Sequence, residues 1–343
     1  MTNLDEFLLK NENKIPSNAV LLIVCNTKSK TQTLSNYRNF SINTEFLSDE
    51  ELIEITNMAG KLNLPFRIFY DEKDFIDTIL ATENLCVNNY IVYNSAQNGI
   101  GPGRKALIPS ICKYFSLRYT GSDAYRVCLC RDKFAINSIL SANSIAAPIS
   151  FLYSGEEIPR LKNDVTYIAK PLYESSSLGI TNDNIFLGNK FPKSFLDRLI
   201  NNMQQSLLIQ EFIDGYEIEV PVLIGKCSAY AFSPVVLHSQ KNNLTMDGKI
   251  LDYEKIYNDN YYFSSLPKYI DEKNIRNTAE RVANLLGLRG LCRVDFRLRK
   301  NNTYFVTDVS TNPHFVNHSS VNFAFRQLGK ENWEILQTIL RLS

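Results

Sequence analysis

The segment between residues 293 and 313 constrains the fold more than any other part of this chain. It contains two short apolar runs, 293–297 and Tyr304–Ser310, which are joined by a polar turn. Each run carries one acid among residues that favour strands, so the pattern predicts a β-hairpin. In such a hairpin Asp295 and Asp308 would lie side by side. Arg293 would share the face of Asp295, because residues two apart in a strand point to the same side.

Two interpretations of this acidic pair are open. Carboxylates on one buried face repel each other unless a cation lies between them, and a divalent metal ion would meet that need. Alternatively, one acid lies on an exposed strand face and the other at the end of a strand. The hairpin alone favours neither interpretation, so the rest of the chain has to decide.

The composition bounds the class of protein. With 343 residues the chain is too long for one simple core and is predicted to form two or three subdomains. Its formal net charge of +1 gives no reason to expect nucleic acid or an anionic membrane surface as a partner. No apolar stretch is long enough to span a bilayer, and the first residues lack the pattern of a signal peptide. We therefore expect a cytoplasmic protein.

Cysteine and histidine usage points the same way. The seven cysteines are scattered and form no CxxC pair, which favours reduced thiols. With three histidines, a histidine-rich metal site is not expected. An enzyme of this composition would depend on carboxylates, lysine and arginine.

The first third of the chain alternates predicted strands and helices. Strands are predicted at 19–25, 66–70 and 90–94. Helices are predicted from a Ser48–Glu51 capping box to about residue 62, and at Leu107–Tyr114. This order is typical of a parallel sheet covered by helices, and we assign residues 1–118 to an N-terminal α/β domain.

Two further regions follow. The central one, 119–206, is predicted to hold a helix containing Asp132 and Lys133, a strand ending at Lys170, a serine-rich loop and a helix near 193–202. The C-terminal one, 207–343, is predicted to open with a strand at 207–213. It continues with several strands, a helix around 275–286 and the acidic hairpin.

Two motifs in these regions suit a nucleotide, although each has an ordinary alternative. The loop 174–179 has small residues whose N–H groups and hydroxyls can surround phosphate oxygens, with Lys170 at its mouth. Residues 208–217 give a strand, a turn and the acid Glu217, which suits an adenine ring and a ribose. The alternatives are a flexible surface loop and a plain hairpin, and each motif taken alone favours its alternative.

Taken in order, however, the motifs resemble the ATP-grasp superfamily and, within it, the D-alanine–D-alanine ligase family. The order is Asp132-Lys133, then Lys170 with its serine loop, then 210–217, then Arg293-Val-Asp295, then 308–319. The last segment is similar to the family's Glu-x-Asn-x-x-Pro-Gly…His-Ser pattern. The resemblance covers about residues 119 to 342. It implies an ATP-grasp fold, of α/β class with α+β subdomains, behind an N-terminal parallel α/β domain.

The resemblance also implies cofactors, partners and roles for individual residues. ATP and Mg²⁺ are the implied cofactors, with Mn²⁺ as an alternative metal, and the implied partners are small-molecule substrates and a second copy of the chain. The residues implied to contact the nucleotide are Lys133, Lys170, Glu174, Ser175, Ser176, Ser177, Glu211, Phe212, Ile213 and Glu217. The implied metal ligands are Asp295, Asp308 and Ser310, the implied catalytic residues are Arg293, Ser176, Lys255 and Tyr257, and Arg293 and Ser319 are implied to contact substrates.

The sequence departs from the family pattern at the metal site and in the loop after residue 250. Asp308 and Ser310 stand where the family has Glu and Asn, and a serine is a weaker magnesium ligand than an amide oxygen. Lys255 is displaced by one position, which in an extended segment would turn it to the other face, while Tyr257 keeps its place. The second metal position and the part played by Lys255 are therefore open.

The N-terminal third departs most. The family segments that position the first D-alanine are replaced by 25–30 and by a loop that carries Gln97, Arg104 and Lys105. We assign Gln97 and Arg104 to the substrate site and expect a different acyl substrate, one with an extra anionic or polar group. The alternative for Arg104 and Lys105 is a solvated first turn of a helix.

The predicted function is that of an ATP-dependent carboxylate–amine ligase that forms a peptide bond through an acyl phosphate. The alternative is a non-catalytic or regulatory ATP-binding protein derived from the same fold. The identity and stereochemistry of both substrates stay open, as does the choice between an amide and an ester product.

Overall fold

A computed structural model describes residues 3–82, 87–239, 250 and 260–343. The helices in these residues are α1 (Asn3–Asn11), α2 (Asp49–Lys61), α3 (Glu72–Ala81), α4 (Leu107–Tyr114), α5 (Ala124–Arg131), α6 (Lys133–Ala142), α7 (Lys193–Met203), α8 (Glu272–Leu285), α9 (Ser320–Gln327) and α10 (Asn332–Arg341). Among them, none is long and apolar enough to cross a membrane.

The strands fall into three groups along the chain. The first group is β1 (Val20–Cys25), β2 (Phe66–Phe69), β3 (Tyr90–Ser95) and β4 (Arg118–Tyr119). The second is β5 (Ser150–Tyr153), β6 (Thr166–Pro171), β7 (Ile185–Leu187) and β8 (Leu207–Glu211). The third is β9 (Tyr216–Ile224), β10 (Ala229–Ala231), β11 (Val235–Ser239), β12 (Tyr261–Ser265), β13 (Gly290–Leu298) and β14 (Tyr304–Ser310). Each group forms one sheet.

The first sheet is parallel, as predicted, with the strand order β2-β1-β3-β4. Its central strand β1 is apolar throughout because both faces of the sheet are covered. Helices α3 and α4 pack on one face, and α2 packs on the other together with α9 and α10 from the end of the chain. The N-terminal and C-terminal parts of the chain therefore share one core.

Cap chemistry sets the helix boundaries. The predicted capping box is present at α2: Ser48 Oγ accepts from the N–H of Glu51 at 3.2 Å, and the N–H of Ser48 donates to Glu51 Oε2 at 2.6 Å. The single helix predicted around Asp132 is wrong. Asp132 has an extended backbone that ends α5, and its carboxylate accepts from the N–H of Ala135 at 2.9 Å to start α6. The break places Lys133 in the first turn of a new helix.

The second sheet is antiparallel, in the order β5-β8-β6-β7, and α7 packs against it. The predicted strand at 207–213 is shorter than expected and ends at Glu211. Three side chains from the N-terminal third, Tyr37, Ile42 and Phe46, lie in the same core. The segment between β1 and α2 thus belongs by packing to this layer.

The third sheet is antiparallel and carries the acidic hairpin. Its order is β12-β11-β9-β13-β14, with β10 beside β9 and with α6 and α8 packed on one face. The predicted pairing of Asp295 with Asp308 is confirmed, and Arg293 lies opposite Ser310. The register shifts just after Asp295, where a bulge re-aims the following side chains.

Gly215, at the turn between β8 and β9, is required by both conformation and space. Its φ is +145°, and a Cβ there would lie 2.0 Å from the carbonyl oxygen of Leu298. We expect Gly215→Ala to lower the free energy of unfolding by about 2 kcal/mol or more, measured by urea denaturation. Gly99→Ala is the matched control, since Gly99 has a φ of +92° but open space around it. It should cost only about 1 kcal/mol, and an equal loss in both variants would contradict the steric argument.

Candidate active site

The three layers meet at one cleft with a cavity volume of about 600 Å³. Among the described residues, nearly all of the side chains assigned to the site from the sequence line it. They are Gln97, Lys133, Lys170, Glu174, Ser175, Ser176, Ser177, Glu211, Phe212, Ile213, Glu217, Arg293, Asp295, Asp308, Ser310 and Ser319. Arg104 lies behind the wall instead. Lys255 and Tyr257 lie outside the described residues.

Two lysines reach one part of the cleft from different elements. Lys133, at the start of α6, places Nζ 2.6 Å from Asp308 Oδ2. Lys170, at the end of β6, donates to Gln210 Oε1 at 3.1 Å. Burial, followed by the nearby charge of Lys133, lowers the pKa of Lys170 to about 8. Lys170 is therefore still protonated at neutral pH, and among the described residues no carboxylate accepts a hydrogen bond from it.

The serine-rich loop beyond β6 is strained. Ser176 and Ser177 both have a φ of +52°, in the left-handed region that side chains rarely adopt. Gly179 follows at +77°, and a Cβ there would lie 2.8 Å from the ring of Pro171. The loop is thus folded tightly back on the end of β6. Strained backbone of this kind is common where a loop clamps a ligand.

Next to the loop the cleft has an apolar floor with a charged rim. Ile213 is fully buried, and the guanidinium of Arg297 lies over the ring of Phe212 at 5.6 Å. Arg297 also pairs with Glu217 at 2.9 Å, while Glu211 pairs with Arg299 at 2.8 Å. A flat apolar surface with carboxylates at its edge can hold a planar ring and hydroxyl groups.

The acidic pair of the hairpin has one cation at each carboxylate. Arg293 donates to both oxygens of Asp295, from Nε at 2.7 Å and from Nη2 at 2.9 Å. Burial raises the pKa of Asp295 despite that pairing. For Asp308, burial acts in the same direction, but Lys133 outweighs it and lowers the pKa.

These oxygens fit a hard cation. Asp295 and Asp308 come from paired positions, and the oxygens of Ser310 and Asn312 line the same wall. Among the described residues no group of three or more His, Cys, Asp or Glu side chains could hold a metal ion. Mg²⁺ typically takes one or two carboxylates and fills its other positions with water and substrate phosphates. The donor set therefore suits magnesium bound together with a nucleotide.

The opposite wall, which the N-terminal layer helps to form, contains a buried ion cluster that sequence reasoning missed. It consists of the carboxylates Glu45 and Glu174 with the cations Arg104, Lys105 and Arg131. Arg104 Nη2 lies 2.5 Å from Glu45 Oε1 and 3.0 Å from Glu174 Oε2, and Arg131 Nη2 lies 3.2 Å from Glu174 Oε2. Lys105 Nζ lies 3.0 Å from Glu45 Oε2. The five charges hold together four separate segments, around residues 45, 104–105, 131 and 174.

Neutral groups donate further hydrogen bonds to the two carboxylates. Tyr37 donates to Glu174 Oε1 at 2.5 Å, and Ser175 donates to Glu45 Oε2 at 3.0 Å. Burial would raise the pKa of Glu45, but Arg104 and Lys105 outweigh it and hold that pKa well below its usual range. Both carboxylates are therefore fully coordinated by the protein.

The polar residues of the N-terminal loop lie in different places from one another. Arg104 is not solvated, as one interpretation of the sequence had it, but is buried in a short 3₁₀ turn (Arg104–Ala106). Gln97 uses its amide to donate to the backbone oxygen of Glu45. Lys105 is the cation of this loop that lines the cleft, with 17% of its side chain exposed. Burial lowers its pKa to about 8.

The remaining wall is built by β11, β12 and the start of α9. Ser319 caps α9 by accepting from the N–H of Asn322 at 3.1 Å, and it donates to the carbonyl of Val316 at 2.7 Å. Tyr261 stacks on His318 at 4.5 Å between ring centroids. Phe263 lies against both rings, so this side of the cleft is largely aromatic.

A third acid beside the hairpin was also missed. Glu219 on β9 is opposite Asp295 in register and lines the cleft. Its Oε2 is 3.0 Å from Arg293 Nη1, although the contact is not aligned as a hydrogen bond. Burial raises the pKa of Glu219 to about 7. Its alternation with Glu217 along one strand was the available signal, since both then share a face.

The chain is similar to known proteins in both sequence and fold. The protein-family model described as D-ala D-ala ligase C-terminus matches residues 157–341, more than half of the chain. The chain belongs to the D-alanine–D-alanine ligase family. The resemblance inferred from the motifs is confirmed.

Individual members are distant from this chain. It is 26% identical over 228 residues to the D-alanine–D-alanine ligase of Wolbachia pipientis from Culex pipiens, which covers 64% of this chain and 67% of the relative. To that of Citrifermentans bemidjiense it is 29% identical over 216 residues, 62% of this chain and 65% of the relative. The crystal structure of the Bacillus anthracis D-alanine–D-alanine ligase complexed with ATP superimposes with a TM-score of 0.67. That match has 12% identity and covers 94% of this chain and 97% of the other. The predicted ATP-grasp fold is confirmed.

Removal of Arg104 tests the buried cluster. In Arg104→Met, Glu45 loses one of its two cations and Glu174 one of its two, while both stay buried. Breaking a buried ion pair on one side costs about 3–5 kcal/mol, and urea denaturation would measure that loss of unfolding free energy. The control is Lys73→Met, because Lys73 pairs with Asp77 on the surface of α3 with its side chain 84% exposed. This control should change stability by less than about 1 kcal/mol. A similarly small effect for Arg104→Met would refute the structural importance of the cluster.

Proposed function

We propose that this chain is an ATP-dependent carboxylate–amine ligase that joins its substrates through an acyl phosphate. The observation that carries the proposal is the convergence of Lys133, Lys170, Arg293 and the Asp295–Asp308 pair on one cleft. Cations and carboxylates in this arrangement suit the transfer of a phosphoryl group. Membership in a ligase family supports the same reaction.

The first step activates the acid. A carboxylate is a poor electrophile because its charge repels nucleophiles and oxide is a very poor leaving group. In the proposed step a carboxylate oxygen of the substrate attacks the γ-phosphorus of ATP, the bond to the β-phosphate oxygen breaks, and ADP leaves. Lys133 and Lys170 would hold the phosphates, and Arg293 would orient the attacking carboxylate.

Magnesium would be held by Asp295 and Asp308, with Ser310 or Asn312 as further oxygen donors. When bound, the ion would neutralise phosphate charge and fix the orientation of the phosphates. The cations already beside the two acids do not exclude it. Arg293 and Lys133 would then turn from these carboxylates towards the substrate and the nucleotide.

The second step forms the product. The amine nitrogen attacks the acyl carbon, the bond from that carbon to the phosphate oxygen breaks, and phosphate leaves while the amine loses its proton. Arg293 would stabilise the developing oxyanion. The serine-rich loop beyond β6 would cover the acyl phosphate and exclude water, which would otherwise hydrolyse it.

We further propose that the acyl substrate is not D-alanine. The N-terminal wall has lost the family segments that position the first D-alanine, and Glu45 on this wall is already paired with Arg104 and Lys105. A carboxylate so fully compensated offers little to an ammonium group. We propose that the nucleophile is an amine. A hydroxyl group would give an ester by the same two steps.

The direct test is ADP release by the purified protein with magnesium and ATP against a panel of amino acids, dipeptides and hydroxy acids. Mass spectrometry should find a product with the mass of both substrates less water. Asp295→Asn should lower the rate on the order of 100-fold or more. Asp164→Asn, in an exposed turn before β6, is the matched control and should leave it unchanged. ATP binding without ADP formation for any acid would favour the non-catalytic alternative instead.

The pKa of Lys170 predicts how nucleotide binding responds to pH. The group is protonated in the free protein below about pH 8 and loses its proton above it. Bound phosphate favours the protonated form, so binding takes up one proton above that pH. The dissociation constant for ATP should therefore be flat below pH 8 and rise by up to about tenfold per pH unit above it.

Isothermal titration calorimetry from pH 7 to 9.5 would measure this dependence. Lys170→Arg is the control, because a guanidinium stays protonated over the whole range. Its profile should be flat. A fall in affinity that persists in Lys170→Arg would assign the titration to another group.

A further inference from the structure

The buried cluster in the N-terminal wall carries an unbalanced positive charge. Its three cations, Arg104, Lys105 and Arg131, face only two carboxylates, Glu45 and Glu174. In the described part of the chain no third carboxylate pairs with any of these cations. The cluster therefore has a net charge of +1 in a region from which water is largely excluded.

An uncompensated buried charge is costly, and the cost is relieved by a counter-ion. Arg104 and Arg131 are nearly inaccessible, with side chains only 1% and 7% exposed. Lys105 also lines the cleft and is more open, with 17% of its side chain exposed. Of the three cations in the cluster, Lys105 is therefore the most accessible to an anion that enters the cleft.

Two sources could supply such an anion, the acyl substrate or the γ-phosphate of ATP. Lys105 pairs with Glu45 at 3.0 Å. Lys133 pairs with Asp308 at 2.6 Å, and Lys170 donates to Gln210 at 3.1 Å. Lys105 thus has a different partner from the two lysines that suit the phosphates.

Lys105 lines the same cleft as Arg293, the residue proposed to orient the acid. Tyr93 and Phe315, whose rings pack edge to face at 5.6 Å, line this cleft as well. A substrate that reaches Arg293 with one carboxylate therefore has Lys105 in the same cleft.

We propose that the acyl substrate carries a second anionic group, in addition to the carboxylate activated at Arg293, and that Lys105 binds it. The substrate class is a dicarboxylic acid or an acid with a comparable second anion. This inference rests on the proposed ligase function. Lys105 would discriminate between substrates, and Arg104 would hold Glu45 in place.

The test compares acids that carry two carboxylates with isosteres in which one carboxylate is replaced by a neutral amide. The pairs are aspartate and asparagine, glutamate and glutamine, each in both enantiomers, and succinate and succinamate. They would be titrated calorimetrically into the protein in the presence of magnesium and a non-hydrolysable ATP analogue. We expect at least one dicarboxylate to bind tenfold or more tightly than its isostere. In Lys105→Met that preference should disappear, while Lys105→Arg should retain it.

Nucleotide affinity separates the two sources of the anion. Lys105→Met should bind the ATP analogue within twofold of the unmodified protein. A loss of nucleotide affinity equal to that of Lys170→Met would overturn the proposal and assign Lys105 to the phosphates. Equal binding of acids and isosteres, or no binding by any member, would also overturn it.

The same panel, followed by ADP release, distinguishes failure of this inference from failure of the ligase function. ADP formation with monoanionic acids alone would keep the ligase and remove the second anion site. Selective binding of a dianion with no ADP formed in the presence of any amine would keep the site and remove the ligase. Both properties are expected together.

Discussion

The burial of Glu45 and Glu174 is the constraint on which the shape of the cleft depends. Neither carboxylate can be shut away from water without cations, and the cations come from separate parts of the chain. Arg104 arrives on the turn before α4, and Arg131 arrives at the end of α5. Glu174, at the start of the serine-rich loop, is thereby fixed to the N-terminal layer. The serines that follow it, 175–177, line the cleft in which the proposed reaction would take place.

The same arrangement links the two halves of the proposed chemistry. Ser175 and Lys105 both lie 3.0 Å from one oxygen of Glu45. The loop that would cover the phosphates and the lysine that would select the acid therefore share a single partner. A change in the position of the Glu45 carboxylate would therefore alter the positions of both Ser175 and Lys105.

The parts of this structure that could be predicted from the sequence are those encoded by local patterns. Period-two alternation and a short polar turn were enough to bring Asp295 opposite Asp308, because the register of a hairpin follows from its turn. Continuous apolar runs gave the parallel strands, and the Ser48–Glu51 box gave the start of α2. The residues proposed to contact the nucleotide could be named because their motifs follow one another in a known order, and the structure places them along one cleft.

The N-terminal wall could not be predicted, because its contacts join residues far apart in the chain. Nothing local distinguishes Arg104 from Lys105, two adjacent cations, yet the 3₁₀ turn buries one and leaves the other at the cleft. The helix break at Asp132 was missed for a different reason, because it depends on a local contact. The Asp132 side chain caps the helix that follows, so the run predicted as one helix is two.

The packing of Tyr37, Ile42 and Phe46 limits how this protein can be recombined with its relatives. These side chains sit in the core of the second layer, although they precede the second strand of the first. A chimera cut near residue 118 would divide that core and leave each half with a partner of foreign shape. Selectivity for the acid could therefore not be exchanged as a detachable N-terminal module. It would have to change residue by residue, at positions that face the cleft without supporting the second layer.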